Sequence, residues 1–118
     1  MKCSSKPNCV SSSQQPENRK YVEPLSYSIS PIALKDIIRQ MFRGNRSYTI
    51  VKEGEYYFHY EFRSTVFQFV DDVEILIRPQ DFTIHFRSAS RVGYWDLGAN
   101  RRRINTIKKH LRKKIGER

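Results

Sequence analysis

"VDDVEILIRPQDFTIHFRSAS", residues 70–90, decides the fold. Apolar and polar residues alternate on both sides of Pro79-Gln80-Asp81, the period-two pattern of two strands joined by a turn. Val73, Ile75 and Ile77 oppose Asp72, Glu74 and Arg78 in the first half, and Phe82, Ile84 and Phe86 oppose His85 and Arg87 in the second. One apolar and one charged face on neighbouring strands predict an antiparallel sheet that buries a single side.

The pattern extends toward the N-terminus. In "YYFHYEFRS" (56–64), Phe58, Tyr60 and Phe62 oppose His59, Glu61 and Arg63, and a turn around Gly54 joins this run to "YTIVKE" (48–53). A bulge in "FVDD" (69–72) would shift the register and re-sort the faces. Ser30 reads as a helix cap with Pro31 at the first position; Leu34, Ile37, Ile38 and Met41 follow at helical spacing until Gly44. "KYVEPLSYSI" (20–29) reads as an edge strand, since Pro24 is unsuited to a central one. From about Leu97 to Ile115, Ile104, Ile107, Leu111 and Ile115 form the narrow apolar stripe of a basic helix.

The expected class is α+β. An antiparallel sheet of four to five strands has one helix after its first strand and a long basic C-terminal helix packed on its apolar face. Residues 1–20, polar and rich in Ser, Gln, Asn and Pro, read as a loosely ordered arm carrying Cys3 and Cys9, and 21–118 as a single domain.

The 118 residues carry 22 Lys/Arg and 12 Asp/Glu, a formal charge of +10. Nine of the basic residues and one acidic residue lie in 101–118, which therefore holds +8 and leaves +2 for the rest. Arg102, Arg103, Lys108, Lys109, Arg112 and Lys113 thus form a candidate surface for nucleic acid, anionic lipid or an acidic protein. The plainer alternative is a solvated helix whose cations favour its C-terminal end. No apolar run approaches the roughly 18 residues of a membrane span. The start "MKCSSKPNC" lacks the apolar core of a secretory signal, so the expected location is cytoplasmic, or envelope-associated if an export segment precedes it. Cys3 and Cys9 would close a short disulfide loop after export and remain thiols in a reducing cytoplasm.

The richest local chemistry is "RSASRVGYWDLGANRRR" (87–103). Arg87, Ser88, Ser90 and Arg91 close the last strand, Gly93-Tyr94-Trp95 turns, and Asp96 is the expected cap of the final helix. A helix N-terminus attracts anions. Together with Glu61, Arg63, Asp72, Glu74, Trp95 and Asn100, these residues form a candidate site for a polar or anionic ligand. The competing reading pairs the charges across strands, with Arg87 and Arg91 on Asp71, Asp72 or Glu74 and the Asp96 carboxylate in the anion position.

Catalytic candidates are weaker. Cys9 with His59 or His85 is a conceivable nucleophile pair, and Glu61 with Glu74 a conceivable acid/base pair. The sequence holds no glycine-rich phosphate loop, histidine metal cluster or nucleophile elbow. The leading expectation is a small non-enzymatic binding or interaction domain without metal or cofactor. A nucleic-acid-associated protein comes second and an enzyme third.

"KPNCVSS" (6–12), "YVEPL" (21–25), "EFRS" (61–64), "FVDDVE" (69–74) and residues 87–103 resemble, in the same order, the bacterial and plant domain-of-unknown-function family 1499. The family pattern falls on Cys3, Pro7, Asn8, Cys9, Glu61, Arg63, Ser64, Asp72, Glu74, Arg87, Ser88, Ser90, Arg91, Gly93, Asp96, Gly98, Asn100 and Arg101. Many members carry a membrane or lipoprotein segment before the Cys motif, and the given sequence shows none. Trp95 stands where relatives often have a small polar residue. The resemblance implies an identity and no activity.

Overall fold

The structure is a computed structural model and describes residues 1–4, 8–66, 68–92 and 98–116. Strand β1 (Cys9–Ser11), strand β2 (Leu25–Ser26) and helix α1 (Pro31–Arg43) come first. Strands β3 (Tyr48–Glu53), β4 (Tyr57–Arg63), β5 (Val70–Arg78) and β6 (Thr83–Ser90) follow, and helix α2 (Ala99–Ile115) ends the chain. The class is α+β, as expected, with six strands where four to five were anticipated.

The sheet order is β1-β6-β5-β4-β3, all neighbours antiparallel, and β2 pairs with β6 as well. Two short strands thus share one edge of β6: β1 meets residues 87–89 and β2 meets 83–84. No bulge interrupts "FVDD"; β4 and β5 pair in register from Val70 to Leu76. The irregularity lies in β3, between Ile50 and Lys52.

Periodicity sorted the faces correctly, with one exception. Phe58, Tyr60, Val73, Ile75, Ile77, Ile84 and Phe86 are buried under the helices with Leu34, Ile38, Phe42, Ile104 and Leu111. Phe82, expected on that face, is 60% exposed: it precedes β6 in the turn at a positive φ of 56° and caps Tyr27 edge-on. Helix α1 begins as read, with the Ser30 hydroxyl accepting from the Ala33 amide, Pro31 in the first turn and Gly44 at its end. Helix α2 starts at Ala99, and its cap position is Gly98 at φ 81°, a left-handed conformation that glycine adopts without strain. Among the described residues no side chain caps α2 there. The expected cap Asp96 lies outside the described residues, as do Gly93, Tyr94, Trp95 and Leu97.

The N-terminal arm is more ordered than its composition suggests. Asn8, Cys9, Val10, Ser11 and Ser12 are all buried, and a Cys3–Cys9 disulfide ties the first residues to β1. Backbone bonds from the Ser12 amide to the Phe86 carbonyl and from the Ser90 amide to the Asn8 carbonyl fix the arm along β6. Polar composition misled here because a strand that pairs on an edge needs backbone partners more than apolar side chains.

Candidate functional site

The candidate residues divide between the two faces of the sheet. Positions 87 and 91 are in phase with His85 and lie on the outer face, away from the helices. Ser88 and Ser90 are in phase with Ile84 and Phe86, lie on the helix side, and are buried. The anticipated single site is therefore two clusters, separated by the thickness of the sheet.

On the outer face the charges satisfy one another. Arg87 Nη1 donates to Glu74 Oε1 at 2.6 Å, and the Tyr57 hydroxyl donates to the other oxygen of that carboxylate. Arg91 reaches Asp72 through Nε at 3.0 Å and also bonds Glu61. His59 Nε2 lies 2.8 Å from Asp72 Oδ1. Desolvation works to raise the Asp72 pKa, but the bonds from Arg91 and His59 outweigh it and hold the carboxyl below its ordinary value. The Tyr57 hydroxyl is pushed well above the usual phenol range by desolvation and by its bond to Glu74. With its pKa held low, the Asp72 carboxylate stays ionised at neutral pH and is not poised as a general acid. Arg63 is exposed and makes no ion pair among the described residues. Arg87 Nε also donates to the Lys2 carbonyl at 3.2 Å, laying the first residues against this face.

The inner cluster is a buried polar knot. Asn100, fully buried in the first turn of α2, donates to the Asn8 carbonyl and to Ser90 Oγ, each at 3.0 Å. Its Oδ1 accepts from Ser88 Oγ at 2.6 Å and from Arg103 Nη1 at 2.8 Å. Arg103 also pairs with Asp71 at 2.8 Å, both side chains nearly buried, and its guanidinium lies 4.2 Å from the Phe62 ring centroid. Asp71, Asn8 and this role of Arg103 were missing from the predicted site. Parity contained the clue: Asp71 is in phase with Val73, Ile75 and Ile77, so it faces the core and must find a cation there.

Two members of the predicted basic surface consequently leave it. Arg103 points inward to Asp71, and Lys108 is buried, its pKa lowered by desolvation and by the nearby Arg112 against the pull of Glu23. Arg102, Lys109, Arg112 and Lys113 remain exposed along α2. Lys109, Arg112 and Lys113 make no ion pair among the described residues.

The catalytic candidates find no support. Cys9 is buried in the disulfide and offers no thiol. His59 pairs with Asp72, and His85 Nδ1 lies 2.8 Å from Ser12 Oγ. Among the described residues no group of His, Cys, Asp and Glu has metal-binding geometry, and no helix is long and apolar enough to cross a membrane.

A family model described as "Protein of unknown function (DUF1499)" matches residues 1–111, and the chain belongs to that family. No curated protein and no solved structure matches the chain significantly.

Proposed function

We propose that this family member is a small non-enzymatic binding domain whose contact surface is the exposed basic strip of α2, turned toward a phosphate-bearing surface. The observation that carries this reading is the contrast between the two charged regions. The arginines of the junction are engaged by Glu61, Asp72 and Glu74, whereas Lys109, Arg112 and Lys113 project from α2 without an acidic partner among the described residues. The Cys3–Cys9 disulfide supports an oxidising compartment, and with it anionic lipid headgroups ahead of nucleic acid.

Co-sedimentation with vesicles of phosphatidylglycerol and phosphatidylcholine, beside retention of duplex DNA, tests the proposal. Binding to anionic vesicles should fall steeply with salt and be lost on neutral ones. At about 1 kcal/mol per basic residue near an anionic surface, replacing Lys109, Arg112 and Lys113 together by Gln should weaken it on the order of 100-fold. Equal binding by that variant, or indifference to salt, overturns the proposal. Salt-sensitive DNA retention without vesicle binding transfers the partner to nucleic acid.

A second reading places a polar ligand on the outer face. Its support is the bond from Arg87 to the Lys2 carbonyl, a backbone group that an incoming chain could imitate. Arg87→Ala should abolish such binding while leaving vesicle binding intact.

A further inference from the structure

Helices α1 and α2 lie side by side on the sheet but do not close on one another. Between them runs a groove of about 500 Å³, within the size range of small-molecule sites. Its apolar lining comes from Ile37, Met41, Phe42, Tyr48 and Ile107. Phe42 and Tyr48 meet edge-on, with centroids 4.8 Å apart, and Phe42 stacks on the buried Tyr60, so this lining is anchored in the core.

The α2 side of the groove is a single stripe: Thr106, Ile107, His110 and Lys114, spanning about 12 Å at 1.5 Å per residue. The helices run antiparallel along it. The last turn of α2 meets Ser26–Ser28, just ahead of α1, while Asn45 and Tyr48 beyond the end of α1 share the groove with Thr106. Charge is therefore distributed unevenly. Because the last turn of α2 lies beside Ser26–Ser28, the order along the helix puts Lys114 and His110 toward the start of α1 and the neutral Thr106 away from it.

No acidic side chain lines the groove among the described residues. The nearest acids on the flanking elements are engaged elsewhere, Asp36 with Arg39 and Glu53 with Arg43 and the Tyr60 hydroxyl. Lys114 makes no ion pair among the described residues. An apolar trough with a cation at one end complements one kind of molecule: an apolar chain with an anionic head.

We propose that the groove between α1 and α2 binds a single-chain amphipathic anion, its acyl chain along Ile37, Met41 and Ile107 and its carboxylate or phosphate head at Lys114. The basic strip plays no part in this assignment, since Lys109, Arg112 and Lys113 do not line the groove. The two proposals therefore fail separately.

Calorimetric titration below the micelle concentration tests it, with dodecanoate and dodecyl phosphate as ligands and dodecyltrimethylammonium as the control of opposite charge. The oxidised 118-residue chain should bind one dodecanoate or dodecyl phosphate, and preference between them identifies the head. Met41→Trp should fill the trough and abolish binding. Lys114→Glu lies on an exposed position that leaves the core untouched, and it should weaken the anions roughly tenfold or more. Absence of saturable binding, equal binding of the cationic amphiphile, or wild-type affinity in Lys114→Glu overturns the proposal. Because Lys114→Glu keeps the fold, the test stands even if Met41→Trp is unstable.

Discussion

Asn100 shows how much one side chain can organise. Among the described residues its side-chain amide makes four hydrogen bonds, which connect α2 to β6, to the N-terminal arm and to Arg103, and those to Asn8, Ser88 and Ser90 are fully buried. Each buried polar group left without a partner costs about 1–3 kcal/mol. Asn100→Leu takes the acceptor from the Ser88 hydroxyl and the donor from Ser90 Oγ, while the Asn8 carbonyl keeps the Ser90 amide and Arg103 keeps Asp71, so it should destabilise the protein by about 2 kcal/mol or more in urea unfolding. Glu61→Gln, on the outer face, weakens one bond to a half-exposed Arg91 that retains Asp72. Its cost should stay within about 1 kcal/mol. Comparable losses from the two variants would mean that the inner knot is not the better-buried network the geometry describes.

Elements were legible in the sequence in proportion to how far their side chains repeat. Strands β3 to β6 and both helices are close to their expected bounds, because one-sided burial imposes periods of 2 and 3.6 that the order of apolar and polar residues reveals. Strand β1 carries no such signal. Its neighbours Asn8 and Ser12 are buried for their hydrogen bonds, and polar residues buried in this way look like a loop in sequence. The candidate residues divide for a different reason, strand parity. Arg87, Ser88, Ser90 and Arg91 are adjacent in the chain, yet alternation sends the serines under α2 and the arginines to the outer face. For β1, backbone pairing and the disulfide share the task of holding it. A loop of this length lets the Cys3–Cys9 bond contribute about 2 kcal/mol by restricting the unfolded chain. Reduction should lower stability by that amount and leave the Ser12 and Ser90 amides protected from hydrogen exchange, since their acceptors are Phe86 and Asn8. Rapid exchange at both amides after reduction would show that the disulfide, rather than the pairing, keeps β1 in the sheet.

Across the whole molecule, the shifted groups determine how stability depends on pH. Burial lowers the His85 pKa from 6.5, with Arg78 adding to the effect and Asp81 opposing it. The folded state thus prefers the neutral ring, whose Nδ1 lies 2.8 Å from Ser12 Oγ, which in turn accepts from the Phe86 amide. As pH falls below 6.5 the unfolded chain takes up this proton first, and stability declines until the folded pKa is passed. Asp72 acts lower on the scale. Its folded pKa is depressed below 3.8, so its ion pairs stabilise fully above that value and are lost as pH falls through the folded pKa. At the alkaline end Tyr57 and Tyr60 have raised pKa values, each from desolvation and a carboxylate partner, so ionisation above pH 10 favours the unfolded chain. Lys108 opposes them, because its lowered pKa makes proton loss easier in the folded state. Thermal unfolding should therefore show its stability plateau between neutrality and about pH 9, with two separate descents on the acid side. His85→Gln should remove the first descent and leave the second. A variant that still loses stability between pH 6.5 and 5 would assign that loss to a different group and break the link between His85 and the docking of the N-terminal arm.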